Sequence, residues 1–314
     1  MRAAIVDGKG EVPRFGDFEL PVAGPGETFV NVTASALSQL TRGRASGAHY
    51  SSGAIYPFIP GVDGVGRTTD GRRIYFVLPR SPFGAMAEHT VVPDGHWFEL
   101  PDGIDDKRAA VIANPAMSSW AALTERARIQ PGETVLVNGA TGASGSLAVR
   151  IARHLGAGKV IATGRNAERL SLLNADAAIV LGDEPDQFER DMSAHFVEGV
   201  DIVLDYLWGP SARSLLIAGA KAAPDGAAIR FVQIGSVSGG EVAIPAAVLR
   251  SSAIEMIGSG IGSVPFDRLL AAVEGAISVA EQIGLALDYT AIPLDDVTRG
   301  WTVAGEARTV FVVR

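Results

Sequence analysis

An apolar strand pattern at residues 134–138 is followed at once by a glycine-rich turn and then by a helical pattern over 146–155. The turn contains Gly139, Gly142 and Gly145. The first backbone N–H groups of such a helix have no partner within the helix, and the helix dipole adds positive potential there. Glycine at these positions lets a phosphate approach the backbone and lets the helix pack closely on the strand. The segment therefore predicts a dinucleotide-binding unit.

Strand and helix patterns alternate from the start of this segment onwards, which predicts a doubly wound parallel sheet with helices on both faces. The preceding part of the chain shows short strand patterns interrupted by Pro and Gly, which are typical of a β-rich module. A chain of 314 residues is too long for one average core. We therefore predict an α/β protein with a β-rich domain at 1–112, a dinucleotide-binding domain at 113–258, and a segment at 259–314 that returns to the first domain.

The composition excludes several kinds of partner and site. A net charge of -8 without a basic stripe argues against nucleic acid. We find no apolar run of about 18 residues, so we expect no membrane contact and a cytoplasmic location. The absence of cysteine excludes disulfides, thiolate catalysis and Cys-ligated zinc, and the five histidines lack metal-ligand spacing. We therefore predict no metal site.

The end of the second strand of the dinucleotide unit distinguishes NAD from NADP. An Asp or Glu there would bind the adenosine ribose of NAD, but this chain has Gly164-Arg165-Asn166. A small residue followed by arginine leaves room for a 2′-phosphate and supplies a guanidinium that matches its oxygens. The alternative is that Arg165 is a solvated surface arginine. We predict NADP(H), bound at the turn and at this strand end by Gly139, Thr141, Gly142, Ala143, Ser144, Gly164, Arg165 and Asn166. Ser144 has an alternative role as a helix cap.

Further segments, together with the glycine turn, resemble one protein family; they are residues 60–66, 130–133, 163–166, 201–206 and 232–236. The chain resembles the medium-chain dehydrogenase/reductase superfamily, and within it the zinc-free quinone oxidoreductase (zeta-crystallin-like) branch. The resemblance extends over essentially the whole chain. It implies a GroES-like β-rich catalytic domain, a Rossmann domain and a homodimer.

The resemblance also implies site residues. It places Tyr50 beside the nicotinamide end of the site, where its phenol either assists the reaction or only packs, and it assigns Ser38 to the catalytic region. Ser118 matches a hydroxyl position near the nicotinamide ribose, and both serines have an alternative role as helix caps. The remaining predicted cofactor contacts follow the last two strands of the sheet: Ile234, Gly235, Ser236, Gly258, Ser259 and Gly260.

Two other residues have competing interpretations. Asp63, in the segment 60–66, is more simply a turn-forming side chain than a base. Trp208 either borders the adenosine or covers the sheet.

The predicted function is zinc-independent transfer of hydride from NADPH to a quinone or an α,β-unsaturated carbonyl compound in a cleft between the domains. One alternative is an enoyl-thioester reductase, which needs a basic groove for its carrier, whereas residues 40–60 offer only Arg42 and Arg44. An alternative of another class is an NADPH-binding sensor or structural protein with little turnover, which would keep Gly142 and Arg165.

Overall fold

The computed structural model describes residues 1–48, 55–182, 184–303, 305 and 307–313. The described strands are β1 (Arg2–Ile5), β2 (Arg14–Asp17), β3 (Glu27–Ala36), β4 (Asp63–Thr68), β5 (Arg73–Val77), β6 (His89–Pro93), β7 (Trp97–Glu99), β8 (Thr134–Asn138), β9 (Lys159–Gly164), β10 (Ala177–Val180), β11 (Ile202–Asp205), β12 (Ala228–Gln233), β13 (Ala253–Gly258), β14 (Tyr289–Pro293) and β15 (Arg308–Val312). The described α-helices are α1 (Gln39–Ser46), α2 (Asp106–Ala121), α3 (Ala143–His154), α4 (Ala167–Ser171), α5 (Pro185–Glu198), α6 (Gly209–Ala222), α7 (Ala246–Arg250), α8 (Phe266–Ser278) and α9 (Val297–Thr302). A π-helical turn, Ala122–Ala127, continues α2, and a short 3-10 turn, Leu294–Asp296, precedes α9.

Residue contacts divide the chain into two compact units. The β-rich unit comprises Met1–Asn114 and Ile277–Arg314, and the parallel-sheet unit comprises Pro115–Ala276. The first boundary lies close to the predicted one at 112, but the second lies later than the predicted one at 258. Most of α8 therefore stays with the parallel-sheet unit, because Val264, Leu269 and Ala272 pack in one apolar cluster with Ala121.

The described strands of the β-rich unit form a sheet in the order β14-β15-β3-β4-β5-β7, with β6 also paired to β3, and a separate β1-β2 ribbon. The C-terminal strand β15 runs antiparallel to β3, with Phe311 opposite Ser35. This pairing joins β15 to the sheet of the first unit. The main apolar core of this unit combines N-terminal and C-terminal side chains, including Ile5, Met86 and Phe311.

The parallel-sheet unit is built on six described strands in the order β10-β9-β8-β11-β12-β13, and each neighbouring pair is parallel. Numbered within the unit, this is the order 3-2-1-4-5-6 of doubly wound dinucleotide-binding sheets. The strand order changes direction between β8 and β11, so that later strands are added on the other side of β8. Ligands of such sheets bind at the carboxyl ends of the strands beside that reversal, which is where β8 meets the glycine turn.

The β-strands and helices of the parallel-sheet unit agree closely with the sequence prediction, and the α/β fold class is confirmed. Helix α2 ends at Ala121, and a π-helical turn follows it. The described part of the chain contains no helix with the length and apolarity needed to cross a bilayer.

Candidate cofactor and acceptor sites

The glycine turn connects the end of β8 to the start of α3. Gly142 is the N-cap of α3, with extended backbone (φ -80°, ψ 169°) and no side chain to accept from the helix. The amides of the first turn, at Ala143, Ser144 and Gly145, therefore lack an intrahelical acceptor and face the carboxyl edge of the sheet. Ser144 lies inside the helix, so the alternative of Ser144 as a cap is wrong. The arrangement is suited to an anionic group.

Glycine occupies the three positions of the turn for different structural reasons. Gly139 has a φ of +91°, a conformation that side chains disfavour. A Cβ at Gly145 would overlap the carbonyl oxygen of Gly139, so this glycine lets α3 pack on the turn. A Cβ at Gly142 would meet nothing nearer than the Gly139 oxygen, at 3.4 Å. Packing therefore requires Gly145, while Gly142 leaves open the space that a pyrophosphate would occupy.

A buried polar network supports the turn from behind. The side-chain amide of Asn138 donates to Asp205 Oδ1 at 2.8 Å, and Thr163 Oγ1 donates to Asn138 Oδ1 at 2.7 Å. All three side chains are fully buried, and they join the ends of β8, β9 and β11. Burial raises the pKa of Asp205, although the hydrogen bond from Asn138 and the amides of Leu207 and Trp208 oppose that shift. Sequence reasoning did not identify this network.

The predicted 2′-phosphate segment lies next to the turn. Gly164 ends β9, and a Cβ there would lie 2.6 Å from Cγ2 of Thr141, so the two predicted contacts are brought together. Arg165 is exposed at the strand end. Asn166 is the N-cap of α4 and accepts from the Arg169 amide at 3.0 Å, so its side-chain oxygen has a structural role.

The residues after β12 also lie at the carboxyl edge. The amides of Ile234 and Gly235 both donate to the Asp205 carbonyl, at 2.8 and 3.1 Å. A Cβ at Gly235 would lie 2.5 Å from the Tyr206 oxygen, which explains the glycine. Ser236 follows directly and is exposed.

The segment after β13 differs from expectation. We predicted that backbone amides of Gly258, Ser259 and Gly260 meet the carboxamide of the cofactor. The Ser259 amide instead donates to Gln233 O at 2.9 Å, and the Gly260 amide donates to Ser263 Oγ at 2.7 Å. The Ser259 amide is occupied by the neighbouring strand β12, and the Gly260 amide by a turn that closes on Ser263.

Helix α2 contributes two hydroxyls at this edge. Ser118 Oγ donates to the Pro115 carbonyl at 2.8 Å inside the helix, so its alternative role as a helix cap is wrong. The sequence analysis missed Ser119, which is buried, donates to the Ser144 carbonyl at 3.1 Å and bonds the Tyr206 hydroxyl at 2.8 Å. Burial raises the pKa of Tyr206 well above its usual value, so its hydroxyl stays neutral. This pair fixes α2 against the first turn of α3.

In the β-rich unit, Ser38 has a capping role. It is the N-cap of α1, accepts from the Thr41 amide at 3.0 Å and bonds the Thr41 hydroxyl at 3.0 Å. The structure thus agrees with the alternative in which Ser38 is a helix cap. Tyr50, the other predicted catalytic residue, lies outside the described residues.

Asp63 is a buried strand residue, so its interpretation as a turn-forming side chain is wrong. It begins β4 and accepts from the Tyr75 hydroxyl at 2.8 Å. Its Oδ1 atom, like Nε and Nη2 of Arg308, is buried with no hydrogen-bond partner among the described residues. Burial raises the pKa of Asp63 to about 6, against the opposing effects of the Tyr75 hydrogen bond and the Arg308 charge.

Comparison with known proteins finds quinone oxidoreductases among the relatives. No family model matches the chain. A probable NADPH-dependent quinone reductase, tdiC from Emericella nidulans, is 29% identical over 90% of this chain and 91% of its own length. The quinone oxidoreductase of Pongo abelii is 27% identical, over 61% of this chain and 60% of that protein. The quinone oxidoreductase of Thermus thermophilus, also solved in complex with NADPH, has a TM-score of 0.80 and 26% identity, with 99% of this chain and 100% of that chain covered. These relatives support the resemblance to the quinone oxidoreductase branch of the medium-chain dehydrogenase/reductase superfamily that the sequence indicates.

The likeness to solved quinone oxidoreductases also confirms the predicted pairing of a GroES-like β-rich domain with a Rossmann domain. Trp208 packs against the apolar core of the sheet, which agrees with the interpretation that it covers the sheet. Its backbone has a positive φ of 57°, and the Asp205 carboxylate accepts from its amide at 3.1 Å.

This chain offers few side-chain ligands for a metal ion. The chain contains no cysteine. Among the residues that the structure describes, no group of three or more His, Asp or Glu side chains is placed to hold an ion. At the places that the family resemblance assigns to zinc ligands stand Ser38, which caps a helix, and Val62-Asp63.

The β-rich unit contains a cavity of about 70 Å³ beside α1. Its wall is largely apolar and includes Ile55, Phe58 and Phe83, and its polar side chains are Thr41, Arg44 and Ser81. The cavity also touches the Pro60-Gly61-Val62 segment. This position near Ser38 and Val62 makes it the candidate acceptor pocket of the unit.

Proposed function

We propose that this chain reduces a quinone or an α,β-unsaturated carbonyl compound with NADPH and without a metal ion. The observation that carries the proposal is the glycine turn at the carboxyl edge of the sheet, with Arg165 exposed at the end of the neighbouring strand. The named activities of the relatives support the acceptor class.

The chain is an NADP(H)-dependent oxidoreductase, as the sequence predicted and as its relatives confirm. When bound, NADPH supplies a hydride, which adds to the β-carbon of the acceptor while an electron pair moves to the carbonyl oxygen and a proton completes the product. Hydride chemistry of this kind needs no strong side-chain catalyst.

The residues of the parallel-sheet unit have distinct binding roles in this proposal. The open amides of α3 hold the pyrophosphate, and the missing side chain of Gly142 allows it to approach. Arg165 pairs with the 2′-phosphate in a charge-assisted contact. The missing side chain of Gly164 lets Thr141 lie close to the end of β9, beside Arg165.

Roles at the reactive end remain predictions. Tyr50 is proposed to bond the cofactor or polarise the acceptor carbonyl, and Ser118 to lie near the nicotinamide ribose. Ser38 is proposed to act by holding Thr41, since its hydroxyl already bonds that side chain.

Zinc independence is proposed from the donor set. Zinc sites with sulfur ligands need cysteine, and this chain has none. The groups at the corresponding places, Ser38 and Val62-Asp63, cannot build a tetrahedral site with nitrogen and sulfur ligands. The acceptor carbonyl is therefore polarised by hydrogen bonds and water rather than by an ion.

The experiment for the cofactor assignment is Arg165→Ala. Loss of a hydrogen-bonded charge partner weakens NADPH binding by about 1.5–3 kcal/mol and leaves NADH binding nearly unchanged. Fluorescence titration of both cofactors measures this. Arg250→Ala is the control, because Arg250 is exposed at the end of α7 in the same unit. Equal losses for NADPH and NADH in the Arg165 variant would remove the basis of the assignment.

The enoyl-thioester alternative finds little support in the described residues of 40–60. Arg42 donates to the Trp301 carbonyl at 2.6 Å and lies over the Trp301 ring, so it has a structural role. Only Arg44 is left to meet a phosphorylated carrier. A sensor with little turnover is distinguished by the absence of NADPH oxidation with any acceptor.

A homodimer and a cytoplasmic location are also proposed. Edge strand β13 leaves Glu255 and Met256 exposed, which suits pairing with a second copy. Light scattering of the purified protein tests the dimer, and cell fractionation tests the location.

A further inference from the structure

Arg44 places a cation in apolar surroundings. It follows Thr41 by three positions on α1, so both side chains lie on the same helix face and line the cavity described above. Burial lowers the pKa of the Arg44 guanidinium, and no neighbouring charge contributes to that shift. At ordinary pH an arginine nevertheless stays protonated. The helix thus holds a permanent positive charge at the wall of an apolar cavity.

No carboxylate in the described part of the chain compensates this charge. Within those ranges, Arg44 has no ion pair and no side-chain hydrogen bond, whereas two other half-buried arginines of the unit are paired with carboxylates. Arg73 donates to Asp106 Oδ1 at 2.8 Å, and Arg80 donates to Glu27 Oε2 at 2.6 Å. A partly desolvated cation without a partner is unfavourable unless a ligand supplies the anion.

The size and lining of the cavity restrict the ligand. About 70 Å³ accommodates on the order of five water molecules, which is room for the small anionic group of a ligand whose apolar body lies along the wall. Ile55 stands 62% exposed beside the cavity, and Phe58 and Phe83 add an apolar wall. A ligand that fits has an apolar body and one compact anion.

We propose that Arg44 binds a carboxylate of the acceptor, so that the preferred substrates are quinones or α,β-unsaturated carbonyl compounds that carry an acid group. This inference rests on the proposed function and deepens it. A single guanidinium matches one carboxylate through two parallel hydrogen bonds. The Ser81 hydroxyl lines the same cavity and is a further donor.

The test compares trans-3-benzoylacrylic acid with its methyl ester, which differ in charge but hardly in shape. We expect the acid to have a higher kcat/KM than the ester by about 10- to 100-fold, the range for a hydrogen-bonded charge. Arg44→Met keeps an unbranched apolar stem without the charge and should abolish that preference by lowering activity on the acid alone. Arg44→Lys should retain part of it, because the charge stays while the planar fork is lost. Arg250→Met is the matched control and should behave like the wild type.

The outcomes separate the inference from the proposed function. Turnover of both compounds with no preference for the acid, or a preference that survives Arg44→Met, would overturn the carboxylate site while the reductase assignment stands. If neither compound is turned over, thermal-shift titration with the acid decides instead, and binding that Arg44→Met weakens supports the site. Crotonyl-coenzyme A, an enoyl thioester with a phosphorylated carrier, is assayed with the same variants. If Arg44→Met lowers kcat/KM for this compound and leaves it unchanged for the acid, Arg44 binds a phosphate and the proposal is contradicted.

Discussion

Two glycines of the turn have different roles in the proposed cofactor site. Gly145 is needed for the packing of α3 on the turn, and Gly142 is needed for the approach of the pyrophosphate. Gly145→Ala should lower the free energy of unfolding by about 1–3 kcal/mol, since the new methyl group overlaps the Gly139 carbonyl. Gly142→Ala should leave the free energy of unfolding nearly unchanged and weaken NADPH binding. Urea unfolding and cofactor titration of both variants measure this. Similar stability losses for the two variants would contradict the assigned roles.

Asp63 should give the folded protein a pH dependence of its own. Its pKa is about 6 in the folded chain against a usual value of 3.8, so the folded state favours the protonated acid. The contribution to stability is therefore fully present below about pH 4 and is lost as the pH rises through 6. One pKa unit corresponds to about 1.4 kcal/mol, so the total change is about 3 kcal/mol.

The variant Asp63→Asn isolates this contribution. The amide stays neutral at every pH and can still accept from the Tyr75 hydroxyl. The difference in unfolding free energy, wild type minus variant, should fall by about 3 kcal/mol between pH 4 and pH 7. Urea unfolding at a series of pH values measures it. A difference that stays constant over this range would show that Asp63 is ionised in the folded chain.

The strands β8, β9 and β11 are joined at their ends by Asn138, Thr163 and Asp205, and this connection has a measurable coupling. Asn138→Ala removes one donor to the buried Asp205 carboxylate and the acceptor of the buried Thr163 hydroxyl, which costs about 1–3 kcal/mol. Thr163→Val keeps the shape and removes one bond. The double variant should lose less than the sum of the single losses, by about 0.5–1.5 kcal/mol. Additive losses would mean that the three side chains do not act together.

Sequence patterns predicted the elements of the parallel-sheet unit well, because its strands are apolar runs and its helices carry a clear apolar face. They missed α1, in which polar residues and Gly43 leave few apolar positions. They also missed β2, β7 and β14, which are short strands that depend on their sheet neighbours. Local pattern decides the former elements and tertiary pairing decides the latter.

The candidate site was predictable to the same extent. The glycine turn and Arg165 have local signals, namely a strand, a turn and a helix in order. The Ser119–Tyr206 pair and the Asp63–Tyr75 pair join residues that are distant along the chain, so no spacing indicates them. A serine directly before a helix is a local signal for the capping role of Ser38. No local signal indicates that the amides of Ser259 and Gly260 are already hydrogen-bonded.

The whole molecule combines a cofactor sheet with a β-rich unit that is completed by the end of the chain. The late boundary at Ala276 arises because residues around Leu269 pack on α2, a contact that no local pattern indicates. The two units contribute separate parts of the account. In the proposed function, the parallel-sheet unit holds NADPH, and the β-rich unit holds the acceptor beside Arg44.

The central claim, metal-free reduction by NADPH, is tested most directly by the rate of NADPH oxidation with a quinone or enone acceptor, measured before and after chelation and together with metal analysis. We predict an unchanged rate and no stoichiometric metal. One zinc ion per chain whose removal abolishes the activity would contradict the account.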